Sequence, residues 1–218
     1  MARGNGRMTI FLDDTDYRRF VFLLGDVLEE LEVECWNYCL MPTHYHAILR
    51  PTKANLSEAL RRLNGNYASW WNWRHGRVGH VFQGRFKDQI VQEEGYLLVL
   101  NRYVARNPVR AKLVDCPEQW GWSSYSATVG LRPVPSFLTI DPVLAPFGNG
   151  DQRELQMRYA QHVVADTDDG RPLEDRIRSS ERILGDAEFK RSFQLGEYPD
   201  NEVVASAVVT EQRTDGQC

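Results

Sequence analysis

The chain has 218 residues, 42% of them hydrophobic and 26% charged, with a formal net charge of −4. Such a length and apolar share allow one sizeable core and a small second lobe, and no stretch approaches the roughly 18 unbroken apolar residues of a membrane helix. The basic start "MARGNGRMTIF" has no apolar leader region. Cys35, Cys39, Cys116 and Cys218 show neither disulfide-framework nor C-x-x-C spacing, so reduced thiols in a cytoplasmic compartment are expected.

The first element is a helix. "DDTDYRRFVFLLGDVLEELEV" opens on an aspartate-rich capping region, then repeats apolar residues at Tyr17, Phe20 or Val21, Leu24, Val27 or Leu28, and Leu31, steps of three and four. Two strands follow, "VECWNYCLM" and "HYHAILR", joined by a short Pro-Thr turn. "NLSEALRRLNGNYASWWNWRHG" places Leu56, Leu60, Leu63, Tyr67 and Trp70 or Trp71 on one helical stripe and ends near Gly76. "HVFQGRFKDQIV" reads as a strand with a glycine irregularity, and "EEGYLLVLNRYVARN" as a helix stopped by Pro108.

The resulting order is helix, strand, strand, helix, strand, helix. It implies an α+β fold: an antiparallel sheet with helices on one face, lacking only an opening strand to be ferredoxin-like. Residues 1–130 are expected to form this unit. Residues 131–195 should form a helical accessory extension, with "LQMRYAQHVVA" and "RSSERILGDAEFKRSF" as short helices, and residues 196–218 a disordered tail.

Charge is unevenly spread. From Arg50 to Lys112, twelve Lys and Arg face only four Asp and Glu, a net of +8; from Leu131 onward the balance is −6. A basic middle and an acidic end fit a polyanion-binding core with a solvated extension, although scattered solvated charge would give the same totals.

The chemistry-bearing residues begin in "MPTHYHAILRPT". Side chains alternate along a strand, so His44 and His46 share a face while Tyr45 points away. Two imidazoles one pleat apart can converge on one divalent ion; the plainer reading is a pair of hydrogen-bonded core or surface histidines. In "LNRYVARNPVRAKLV", Tyr103 and Asn107 share one helical face. A phenol becomes a nucleophile near neutral pH only with help, and an amide oxygen one turn away could complete a metal shell. Equally, Tyr103 could be a packed aromatic, and Asn107–Pro108 could cap a following helix. Trp70, Trp71 and Trp73 beside Arg74 and Arg77 could stack on bases and hold phosphates, though helical spacing puts one or two of them in the core. Arg85 and Lys87 alternate onto one strand face and suit phosphate contacts or a solvated face.

"MPTHYHAIL", "GRFKDQIV", "YLLVLNRYVARNPVRAKLV" and "WGWSSYSA", in this order and spacing, resemble the single-tyrosine HUH transposases. The likeness is closest to the REP-associated tyrosine transposases, relatives of small bacterial insertion-sequence transposases. It runs from about Arg3 to Gly130 and continues weakly through "ERILGDAEFKRSF". It implies His44 and His46 as a metal-binding pair assisted by Asn107, Tyr103 as the nucleophile, and Mg²⁺ or Mn²⁺ as cofactor. The implied substrate is single-stranded DNA with hairpins, cut through a 5′-phosphotyrosine link and rejoined, in the cytoplasm at the nucleoid, without membrane, and in transposase members commonly by a homodimer. Arg61, Arg62, Arg74, Arg77, Arg85, Lys87, Arg106 and Arg110 are the expected DNA contacts. Two other classes fit the residues: a non-cleaving hairpin-binding module, and a metal-dependent phosphodiesterase using water. One departure stands out. The family begins with an extra strand inside the sheet ahead of an "RGNGR"-like segment, which here lies almost at Met1. Either the start given is late, or the sheet forms without that strand; without it, neighbouring backbone groups would lack partners.

Overall fold

The computed structural model describes residues 8–83, 89–165, 183–184, 187–188, 190–191 and 203–207. The first helix, α1, is Asp14–Glu30; the Asp13 carboxylate accepts from the Thr15 and Asp16 amides at its N-terminus, where a negative charge also meets the positive end of the helix dipole. Its stripe of Tyr17, Phe20, Leu24, Val27 and Leu28 is buried, as the spacing predicts.

Strands β1 (Val33–Met41) and β2 (His44–Pro51) form an antiparallel hairpin around Pro42 and Thr43, in register from Met41↔His44 to Asn37↔Ile48. A bulge between Cys35 and Asn37 then shifts the pairing. Helix α2, Leu56–Arg74, buries Leu60, Leu63, Tyr67 and Trp71 and closes on Gly76 at φ 60°, a left-handed conformation that glycine adopts without strain.

The α+β class holds, but helices cover both faces of the sheet. Tyr45 packs on Phe20 of α1 with ring centroids 4.7 Å apart and donates its hydroxyl to Asn64 of α2 at 3.0 Å. His46, the next residue, points the other way and meets the ring of Tyr103 at 5.7 Å. The helix bearing Tyr103 therefore lies opposite α1 and α2. This explains why β1 is buried almost throughout, reading as a near-continuous apolar run because it is covered twice.

The strand expected over "HVFQGRFKDQIV" is described at Gln89–Gln92 (β3); residues 84–88 lie outside the described residues. Helix α3 runs Glu93–Arg110 with Pro108 inside it, so the expected stop at Pro108 is corrected, and Asn107 is mid-helix, not a cap. Pro108 cannot donate to Val104, one turn back. The turn continues nonetheless through Asn107, whose side-chain nitrogen bonds the Tyr103 carbonyl at 2.8 Å, and through Ala111 N–H to the Asn107 carbonyl at 2.9 Å.

The short helices α4 (Tyr125–Thr128) and α5 (Asp141–Leu144) and the longer α6 (Gln152–Val164) follow. Leu138, Val143, Leu144, Tyr159 and Val163 share the core with α1 and the hairpin. Ile183–Leu184, expected to be helical, is instead a strand, β4, paired in parallel with β3.

Val203–Ala207, within the segment expected to be a disordered tail, is the strand β5, antiparallel to both β2 and β3. The sheet order is β1-β2-β5-β3-β4. The family resemblance implied an opening strand inside the sheet; among the described residues β5 holds an inner place, between β2 and β3. Its sequence, "VVASA", includes β-branched Val203 and Val204, which favour extended backbone; the remainder of the tail lies outside the described residues. Among the described residues no helix is long and apolar enough to cross a membrane.

Candidate functional site

The hairpin turn places the two imidazoles. His44 opens β2 and is half-buried, while His46 is 1% exposed. Their Nε2 atoms stand 3.1 Å apart, and the Thr43 hydroxyl lies 3.0 Å from His44 Nδ1. Burial, followed by the neighbouring His44, holds the His46 pKa well below that of a free imidazole. His46 is therefore neutral, the form that ligates metal.

Two nitrogens each about 2.1 Å from one octahedral ion, at a right angle, stand about 3 Å apart, close to the observed spacing. The donors thus fit a hard or borderline divalent cation. One atom fits less well: His46 Nδ1 is buried with no hydrogen-bond partner, whereas a ligating imidazole commonly donates from its second nitrogen. Among the described residues no third His, Cys, Asp or Glu joins the pair, so from these residues a further ligand would be an amide or hydroxyl oxygen.

Tyr103 arrives from α3 on the same face. Its ring is 5% exposed and stands nearly perpendicular to that of His46, at 85°. The Arg110 guanidinium, two turns on, lies over the phenol ring at 5.2 Å from its centroid, a cation–π distance. Asn107 binds the Tyr103 carbonyl through its amide nitrogen, and its amide oxygen has no hydrogen bond among the described residues. One chain thus gathers His44, His46, Tyr103 and Arg110 at a single locus.

The expected DNA contacts divide. Arg61 pairs with Glu58 at 2.7 Å, Arg62 with Glu30 at 2.5 Å, and Arg74 with Asp13 at 2.8 Å and Asp16 at 2.5 Å. These three lie on α2, across the sheet from the imidazoles, and their guanidinium groups are already engaged. Arg74 in turn holds the Asp13 carboxyl down at about 2. Arg77 lies over the Trp71 ring at 5.7 Å. Trp71 is buried and Trp70 partly so, whereas Trp73 is 80% exposed. Arg106 donates to the Ala165 carbonyl at 3.3 Å. Arg85 and Lys87 lie outside the described residues.

Two features escaped the sequence reading. Arg102, next to Tyr103, also donates to the Ala165 carbonyl at the end of α6, so two arginines tie the phenol's helix to the accessory segment. Asn37 and Asn101 meet in the buried space between β1 and α3. Two asparagines inside apolar runs were a usable signal, because buried amides need partners.

In comparison with known proteins, residues 1–107 fit the family model described as "Transposase IS200 like". No curated protein and no solved structure matches the chain.

Proposed function

From the match of residues 1–107 to the model of IS200-like transposases, we propose a role in DNA transposition, as a single-tyrosine strand transferase of the REP-associated type. Its substrate would be single-stranded DNA carrying hairpins. The observation that most supports this is the contact between the Tyr103 and His46 rings within one chain, which joins residues far apart in sequence. Packing alone would not need an imidazole pair beside that phenol.

Tyr103 Oη attacks the scissile phosphorus in line. The new P–Oη bond replaces the bond to the 3′ oxygen, leaving a 5′-phosphotyrosine and a free 3′-hydroxyl; the phenolic proton passes to solvent and the departing oxygen takes one up. A second 3′-hydroxyl reverses the step, giving strand transfer. Arg110 is placed to hold the phosphate beside the phenol. His44 and His46, with the Asn107 oxygen, are the residues to hold Mg²⁺ or Mn²⁺, and such a cation when bound withdraws charge from a non-bridging phosphate oxygen. Exposed Trp73 offers a face for an unpaired base. Arg61 and Arg62 can exchange their carboxylate partners for phosphates at small cost, since solvent screens ion pairs at the surface. Each chain carries one such site, so a homodimer would present two. The cytoplasm, at the nucleoid, is the proposed place of action.

Incubation with hairpin oligonucleotides and Mn²⁺ should give a protein–DNA species that survives a denaturing gel. Tyr103→Phe should abolish it, while leaving hairpin affinity within about twofold. Persistent hydrolysis in Tyr103→Phe would instead identify the water-using phosphodiesterase, and binding without cleavage by the wild type would identify the binding module.

A further inference from the structure

We infer that Asn37, Asn101 and Ser124 form a positioning network that sets where α3 holds Tyr103 against His46; this rests on the reading of Tyr103 as the nucleophile. Register puts Asn37, opposite Ile48, on the same hairpin face as Cys39 opposite His46 and Met41 opposite His44. Asn37 is 1% exposed. Its amide nitrogen donates to Asn101 Oδ1 at 2.8 Å and approaches the Asn101 carbonyl at 3.4 Å; its oxygen accepts from the Ser124 hydroxyl at 2.6 Å. Turning the amide over would set oxygen against two carbonyl oxygens, so its orientation is fixed.

The other members are equally committed. Asn101 gives its own nitrogen to the Leu97 carbonyl at 2.9 Å, and Ser124 Oγ accepts from the Tyr38 amide at 3.0 Å. The Tyr159 hydroxyl of α6 approaches the Asn37 side chain without a well-formed hydrogen bond. Helix α3 therefore meets this face of the hairpin at two specific points, Asn101 on Asn37 and, two residues later, Tyr103 on His46. Apolar contacts tolerate sliding, whereas a directional bond between two buried amides does not. Fixing the first point fixes how far the phenol lies from the imidazoles.

A merely structural network and a positioning one part company in the double variant Asn37→Leu/Asn101→Leu. It removes both amides, so no buried polar atom is stranded, and Ser124 keeps the Tyr38 carbonyl at 3.3 Å as acceptor. The expected result is near-wild-type melting and hairpin affinity, with the rate of covalent capture down roughly tenfold to hundredfold. A wild-type rate in that stable variant would overturn the proposal. The milder Asn101→Ser covers a folding failure: in protein labelled with 3-fluorotyrosine, the ¹⁹F resonance assigned through Tyr103→Phe should shift. An unshifted resonance overturns the proposal as well. That readout needs no catalysis, so a wild type that captures no DNA would refute the strand-transfer reading separately.

Discussion

The two halves of the sheet are built in different ways. Strands β1 and β2 are consecutive, joined by two residues, and paired from end to end apart from the bulge at Trp36. The other half is assembled from Gln89–Gln92, Ile183–Leu184 and Val203–Ala207, strands that meet only after long excursions of chain. Closing a short turn costs little entropy, and closing long loops costs more, though the cost grows slowly. The imidazoles belong to the first half and the phenol's helix springs directly from the second. The site is a meeting of a locally specified part with a remotely assembled one, and β5 is the strand that joins them.

The sharpest way to break that contrast is Ala205→Pro. Ala205 pairs with Leu49 on one side and Ile90 on the other, and proline in an inner strand removes a ladder donor, costing roughly 2–4 kcal/mol. Hydrogen exchange should accelerate at β3 and the outer part of β2, while amides around the Cys39↔His46 pair stay protected. Uniform loss across both halves would show that they fold as one unit and remove the distinction drawn here.

A smaller effect tests the imidazole half. His46→Leu removes a buried nitrogen that has no partner, so stability should rise by about 1 kcal/mol in chemical denaturation, while covalent capture disappears. A destabilised variant would mean that the imidazole is held by packing that leucine cannot replace.

The smallest effect lies at the start of α1. Asp13→Ala removes the cap and the Arg74 partner, lowering the melting midpoint by roughly 2–4 °C near neutral pH. The Asp13 pKa is depressed from 3.8 to about 2, first by Arg74. Its contribution is therefore complete above pH 4 and is lost as the pH falls through 2. The gap between wild type and variant should close over that window; a gap that stays constant would assign the effect to something other than the carboxylate's charge.

Legibility in the sequence followed the same division. α1, the hairpin and α2 were readable because their signals are local: an aspartate cap, alternation about a Pro-Thr turn, a glycine after the last apolar step. The candidate residues His44, His46 and Tyr103 were nameable from spacing and resemblance, but their contact was not, since it depends on α3 crossing the opposite face. Pro108 misled because a side-chain bond from Asn107 bridges the turn it weakens. β5 was unreadable for a different cause: five residues of ordinary strand composition reveal nothing about distant partners. The arginines of α2 looked available because Glu30, thirty-two residues before Arg62, reaches it only in the folded state.

Pro108 has one more effect. A helix that lacks one rung of its hydrogen-bond ladder flexes there more readily than elsewhere, and the missing rung lies between Val104 and Pro108, just past the phenol. The guanidinium resting on that ring rides on the turn beyond the weak joint, so any bend there would change its position relative to a phenol carried before the joint.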